Sequence, residues 1–263
     1  MNNLIEAYNQ FKKAKVQDTL DYQRFNAYLV THHSTRIEGS TLSKVETDLL
    51  LEKGITPGGK PMEHSLMVED HYKALNFVLG SAQENKVIDQ DFIKSIGSRV
   101  MARTGNIIRT ALGSFDLRKG EYRLVSAYSG NHYYPAYNKI PIRMARLVDS
   151  LQEKMKSVSE IEKVYELSFD AHFELVTIHP FGDGNGRTSR LLMNYIQACH
   201  NLPLTTVFIE DRKEYIEALI RAGELEKTEP IREFMTAQAT KYFTQEVALK
   251  EKSEKNEGMS FVF

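Results

Sequence analysis

Apolar residues recur at helical spacing along most of the chain and almost nowhere at strand spacing. Within residues 4–32, Leu4, Tyr8 and Phe11 form one set and Leu20, Phe25, Tyr28 and Leu29 a second, with Asp18 placed to cap the second helix. Ile37 continues the core face, Glu38 falls near the helix end, and Gly39 stands where a left-handed stop is common. Ser43-Lys44-Val45-Glu46 reads as a capping box for a helix that Gly54 ends. A Pro/Gly loop over residues 56–61 precedes a helix over about 62–82. Asp89 or Asp91 starts the next, through Phe92, Ile93, Ile96 and Val100, and residues 105–119 read as irregular. Residues 124–137, rich in Val, Tyr and Ser around Ser129-Gly130-Asn131, predict a hairpin. Pro141 opens a helix to about residue 155, and another spans 164–178, with His172 packed in its apolar face. Helical pattern resumes at Arg187 with Leu191, Leu192, Tyr195, Ile196 and Cys199, and returns over residues 211–222 and 230–249. The last stretch, 250–263, reads as a loose tail, charged and then apolar. The fold class predicted is all-α (mainly α), a helical bundle with one small β-hairpin.

Composition narrows the function classes. With 263 residues, 41% hydrophobic and 26% charged, the chain has the make-up of a soluble globule. A formal net charge of −1 provides no global basic field, so no nucleic-acid partner is expected. The single cysteine, Cys199, excludes an intrachain disulfide and reads as a core residue. Residues 1–10 contain no apolar leader segment, and no apolar run is long enough to cross a bilayer. The expectation is a cytoplasmic protein without a membrane partner.

The chemistry concentrates in His179-Pro180-Phe181-Gly182-Asp183-Gly184-Asn185-Gly186-Arg187-Thr188-Ser189-Arg190. Gly184, Asn185 and Gly186 tolerate positive φ, which lets successive backbone N–H groups converge on an anion. The turn leads into a helix N-terminus, where unpaired N–H groups and the macrodipole favour negative charge. Arg187 and Arg190, three apart, share one face of the first turn and suit phosphate oxygens. Asp183 beside a phosphate cradle would be repelled unless Mg²⁺ bridges the two, and Mg²⁺ commonly takes one or two carboxylates plus substrate phosphates. His179, upstream, suits a general base acting on an incoming hydroxyl.

These twelve residues resemble the Fic family signature, His-Pro-Phe-x-Asp-Gly-Asn-Gly-Arg-x-x-Arg, at every fixed position. The resemblance implies a Fic-type helical bundle with a hairpin flap, transferring AMP from ATP to a hydroxyl of a target protein. It implies His179 as general base and Asp183 as the Mg²⁺ ligand. Gly184, Asn185 and Gly186 would be the phosphate cradle, Arg187 and Arg190 the holders of the β- and γ-phosphates, and Phe181 a core anchor. The retained Gly-Asn-Gly favours adenylyl transfer over the phosphorylation of the Doc branch. Gly120-Glu121-Tyr122-Arg123 resembles the segment that leads into the family's flap, so a Ser-, Thr- or Tyr-bearing target is expected to dock near residues 124–137. Tyr215 resembles a family tyrosine lying near the adenine.

Ser34-Thr35-Arg36-Ile37-Glu38-Gly39 resembles the family's inhibitory motif, Ser/Thr-x-x-x-Glu-Gly/Asn. The resemblance implies that Glu38 pairs with Arg190 and takes the place of the γ-phosphate, as in the class whose inhibitory helix is N-terminal in the same chain. The expected organisation is an N-terminal helical region with this helix over 1–60, a Fic core over 61–249 and a tail over 250–263. Three other readings share these residues: removal of AMP from a modified target, transfer from another nucleotide donor, and a non-catalytic nucleotide sensor, against which His179 argues. The expected partners leave room for a homo-oligomer.

Overall fold

The computed structural model describes residues 2–130 and 132–259. Ten α-helices lie among them: α1 (Asn2–Lys13), α2 (Tyr22–Ile37), α3 (Lys44–Lys53), α4 (Met62–Gln83), α5 (Gln90–Val100), α6 (Ile140–Ser157), α7 (Ile161–Ile178), α8 (Asn185–Cys199), α9 (Arg212–Leu225) and α10 (Glu229–Met259). Two antiparallel hairpins interrupt them, β1 (Ile107–Thr110) with β2 (Gly113–Asp116), and β3 (Tyr128–Ser129) with β4 (His132–Tyr133). The mainly helical expectation holds.

Helix α8 is the axis of the fold. An amphipathic helix buries one stripe; α8 is buried on nearly all sides from Asn185 to Gln197, packed among α7, α4 and α5 with α2 at its start. Toward its C-terminal end, its buried polar side chains are accommodated by internal hydrogen bonds. Gln197 donates to Ser168 Oγ at 3.0 Å and accepts from the Thr205 amide at 2.7 Å, and Asn194 donates to the Thr205 carbonyl at 3.1 Å. Buried polar groups that find partners in this way avoid the desolvation cost of lone ones. A continuous apolar core runs from Leu4 and Phe11 on α1, through α4, α5, α7 and α8, to Tyr242 and Phe243 on α10.

The helix starts follow their caps. Ser43 and Glu46 form the capping box, Gly54 closes α3 in the left-handed region, and Asp89 accepts from the Phe92 amide at 2.6 Å. Four expectations need correction. The second N-terminal helix starts at Tyr22 behind Asp21, not behind Asp18, because a short 3-10 turn over Val16–Asp18 intervenes. Leu20 lies in the turn after it and is exposed, as is Phe25, so neither joins the core. Residues 105–119, read as irregular, hold the β1–β2 hairpin. Helix α10 passes Leu249 and continues to Met259, where a loose tail was expected; residues 260–263 lie outside the described residues, as does Asn131 of the expected flap turn. Cys199, at the end of α8, is half-buried and packs against the core.

Candidate active site

Helix α7 ends at His179, which adopts a left-handed conformation (φ 51°, ψ 57°) while its N–H still bonds the Leu175 carbonyl. The chain thereby leaves the helix axis and begins the loop that leads to α8. Phe181, buried, anchors this loop against Gly97, where an added Cβ would lie 3.1 Å from its ring. Asn185 locks the turn: its carboxamide accepts from the Phe181 N–H and donates to the Phe181 carbonyl, both at 2.9 Å. Its side chain therefore shapes the cradle from within. Gly184 sits at φ 78° against Met101 and Val100. Its φ and the close Met101 sulfur both disfavour a side chain there. Asp183 stays exposed at the rim, with Oδ1 accepting from the Gly184 N–H and lying 3.6 Å from Arg187.

The His179 imidazole is held neutral, with one ring nitrogen left free. Its Nδ1 lies 3.3 Å from the Val176 carbonyl, an acceptor only, so Nδ1 carries the proton and Nε2 keeps its lone pair. Nε2 has no hydrogen-bond partner among the described residues. Burial lowers the imidazole pKa to about 4; the Val176 bond, Glu38 and Asp183 oppose that shift and Arg123 adds to it. One face of the ring is covered by Tyr134, stacked at 3.7 Å and 15°. Arg123 joins this loop to the flap. Buried, it donates to the carbonyls of His179 at 2.8 Å, Val125 at 2.5 Å and Pro135 at 2.6 Å, while its own N–H bonds the Pro180 carbonyl.

The two arginines differ sharply. Arg190 is held on every side: Nε donates to Ser34 Oγ at 2.9 Å, Nη2 to the Ser34 carbonyl at 3.0 Å and to Glu38 Oε1 at 2.6 Å, and Nη1 to the Tyr215 hydroxyl at 3.4 Å. Having accepted from Arg190, that hydroxyl turns its proton to His172 Nε2, 2.8 Å away. Burial raises the Glu38 pKa, but the charge and hydrogen bond of Arg190 outweigh it and hold the carboxyl below its ordinary value. A side chain at position 186 would collide with Glu38, so Gly186 makes the room it occupies. Arg187 is equally buried, yet its Nε and Nη1 have no partner, and Nη2 meets the Met101 sulfur at 3.2 Å and, at 3.6 Å, the exposed Asp183 carboxylate. His71 on α4 is wholly buried; burial, then Arg190 and Arg187, drive its pKa well below the ordinary value. It adds no further positive charge to the pair.

This geometry brings His179, Asp183, Gly184, Asn185, Gly186, Arg187, Arg190 and Glu38 to one place. Tyr215 reaches it only through Arg190, its ring wholly buried. Arg123, marked in the sequence only as part of the flap-entry motif, joins the site together with Tyr134 and His172, whose roles have no local signal because their partners are rings and hydroxyls distant in sequence.

The profile of the Fic/DOC family matches residues 87–197. The chain carries a Fic/DOC-family domain over that stretch. Around the Fic domain, the chain is 33% identical to the protein adenylyltransferase Fic of Nematostella vectensis over 194 residues, covering 73% of this chain and 42% of the relative. This chain thus spans about two fifths of that relative's length. Among solved structures, a Fic domain containing signaling protein from Bacteroides thetaiotaomicron superposes with a TM-score of 0.80 at 22% identity, covering 95% of this chain and 98% of the other. Fic-1 from C. elegans superposes at 0.75 and 24%, covering 95% and 72%. These two show that the Fic fold extends beyond the profile match to almost the whole chain.

Proposed function

We propose that the protein is an autoinhibited protein adenylyltransferase that moves AMP from Mg²⁺-ATP to a Ser, Thr or Tyr hydroxyl of a target protein. The observation that carries this reading is a neutral imidazole with a free Nε2 set beside a helix N-terminus whose buried Arg187 has unpartnered N–H groups. A phosphate is the ligand that such donors lack, and mere binding has no use for the base. The name of the Nematostella relative agrees with this activity.

In the proposed reaction the target hydroxyl oxygen attacks the α-phosphorus and gives its proton to His179 Nε2. The bond from the α-phosphorus to the β-bridging oxygen breaks, and pyrophosphate leaves toward Arg187. Asp183, a single exposed carboxylate at the rim of an arginine-lined cradle, fits a Mg²⁺ ion shared with the phosphates; that ion would neutralise charge developing on the leaving group. The chain's own residues act by positioning and electrostatics. Arg187 and Arg190 would hold the β- and γ-phosphates, with Tyr215 acting through Arg190, the 184–186 backbone the phosphate chain, and the 124–137 flap an extended target segment by strand addition. In the conformation described, Glu38 fills the Arg190 fork, so a γ-phosphate cannot use it. The charge and hydrogen bond of Arg190 outweigh burial and hold Glu38 ionised below its ordinary carboxyl range.

The test uses α-labelled ATP with the unmodified protein, Glu38→Gly, and Glu38→Gly combined with His179→Ala. Label transfer to protein in the second alone is expected. Silence in all three, with ATP bound, would overturn the reading in favour of another donor, AMP removal or nucleotide sensing.

A further inference from the structure

Positive charge is unevenly placed along the chain. Residues 102–147 contain eight lysines and arginines against two carboxylates, although the whole chain has a formal net charge of −1. Three of the eight are engaged: Arg103 with Asp70 and Glu69, Arg118 with Asp116, and Arg123 on the carbonyls already described. The other five, Arg109, Lys119, Lys139, Arg143 and Arg146, are exposed and form no ion pair among the described residues.

Their places bracket the flap. On one side, the β1–β2 hairpin carries Arg109 and leads to Lys119. This hairpin abuts both the flap and the catalytic loop: an added Cβ at Gly113 would lie 3.5 Å from Leu124, and one at Gly182 would lie 2.9 Å from Phe115 and Leu117. On the other side, the flap runs directly into α6. There Lys139, Arg143 and Arg146, at i, i+4 and i+7, line one exposed stripe while Ile140, Met144, Leu147 and Leu151 face the core. Between the two groups stand Tyr128 and Tyr133, cross-strand partners with ring centroids 6.1 Å apart and 70% and 77% exposed. The next residue, Tyr134, turns inward onto His179. A chain segment docked on the flap therefore meets exposed aromatic rings, with unpaired cations on the two elements that enter and leave the flap.

We propose that the accepting hydroxyl lies in a protein segment that carries aspartate or glutamate close to that hydroxyl. The proposal rests on the adenylyl-transfer reading and adds the chemistry of its substrate. Like charges left unpaired on the elements next to a docking surface repel a basic partner and steer an acidic one. A protein segment suits the layout better than a nucleic acid, because the cations form two groups separated by the flap and not a track along a phosphate backbone.

The experiment compares, in the Glu38→Gly protein, kcat/KM for peptides bearing one Ser, Thr or Tyr flanked by Glu, by Gln or by Lys, with α-labelled ATP. The Glu-flanked peptides should exceed the Lys-flanked ones by about tenfold, from several exposed charge pairs acting together, and the gap should shrink as salt is raised. Combining Lys139→Glu, Arg143→Glu and Arg146→Glu should reverse the order, while a calorimetric ATP titration checks that the nucleotide site is intact. Self-labelling with equal rates on all peptides, with no peptide labelled, or with a preference unchanged in the triple variant overturns the acidic partner. If, in addition, a labelled oligonucleotide binds the protein and is lost in the triple variant, the surface belongs to nucleic acid. Loss of self-labelling itself would instead overturn the adenylyl-transfer reading beneath the proposal.

Discussion

Arg187 and Arg190 leave the same turn of α8, three residues apart and equally buried, yet their surroundings are opposite. Arg190 reaches four acceptors drawn from α2 and α9, one of them a carboxylate. Arg187 is left with two unpartnered nitrogens, a methionine sulfur and one exposed carboxylate, Asp183, at 3.6 Å. Buried N–H donors without acceptors are costly, and proteins keep such groups where a ligand completes them. On the proposed function, the contrast divides the anion site: the protein's own glutamate takes the Arg190 half, and the Arg187 half is left for an anion.

The largest expected effect is on transfer. In the Glu38→Gly background, Arg187→Ala and Arg190→Ala should each lower the rate of AMP transfer by about 10²–10³-fold, the usual cost of removing a donor aimed at developing charge. If only one arginine mattered, the two halves would not serve one polyphosphate. Glu38→Gly alone should raise transfer by about 5–150-fold, the range of a typical coupling between sites, read by initial rates of label incorporation.

Stability should split the pair in the opposite sense. Arg190→Met leaves Glu38 and Ser34 without their partner and should cost about 3 kcal/mol in denaturant unfolding, at the low end for a broken buried pair because the Glu38 side chain is 30% exposed. Arg187→Met removes a buried charge that bonds little and should be neutral or stabilising. Equal losses would mean that Arg187 has structural partners of its own.

Much of this contrast is legible in the sequence. The Gly-Asn-Gly turn, the arginine spacing and the Ser34–Glu38 motif are local patterns, and the helix caps at Ser43, Gly54 and Asp89 follow from short-range chemistry. What stays hidden depends on distant segments or on weak local signals. The β1–β2 hairpin escapes because its strands are only four residues long and half-exposed, with no apolar alternation. Nothing in Gly120-Glu121-Tyr122-Arg123 reveals that Arg123 gathers carbonyls from residues 125, 135 and 179. Nor does the Ser- and Tyr-rich flap reveal which tyrosine turns inward. Asp18 misleads because an aspartate is a good cap anywhere before a helix, and the 3-10 turn that displaces the start has no sequence mark.

Acid probes smaller effects. Tyr134→Ala admits water to His179, so the acid limb of kcat/KM should move from about 4 toward the free value near 6.5, while Tyr134→Phe should leave it in place. Arg123, Glu38 and Asp183, which also face the imidazole, are unchanged in both variants. Folding stability should respond in the same window. His32, His33 and His179 have pKa values lowered to about 4 and His172 to about 3, chiefly by burial, so the unfolded chain binds their protons first. Their contribution is intact above about pH 6.5 and is lost as pH falls through 4, a decline that thermal unfolding across that range would show.

The most direct measurement is calorimetric titration of Mg²⁺-ATP and of Mg²⁺-ADP into the unmodified protein and into Glu38→Gly. If Glu38 occupies the γ-phosphate half and leaves the Arg187 half open, Glu38→Gly should tighten ATP on the order of tenfold and leave ADP nearly unchanged. Equal tightening of both nucleotides, or of neither, would contradict the division of the site between the two arginines.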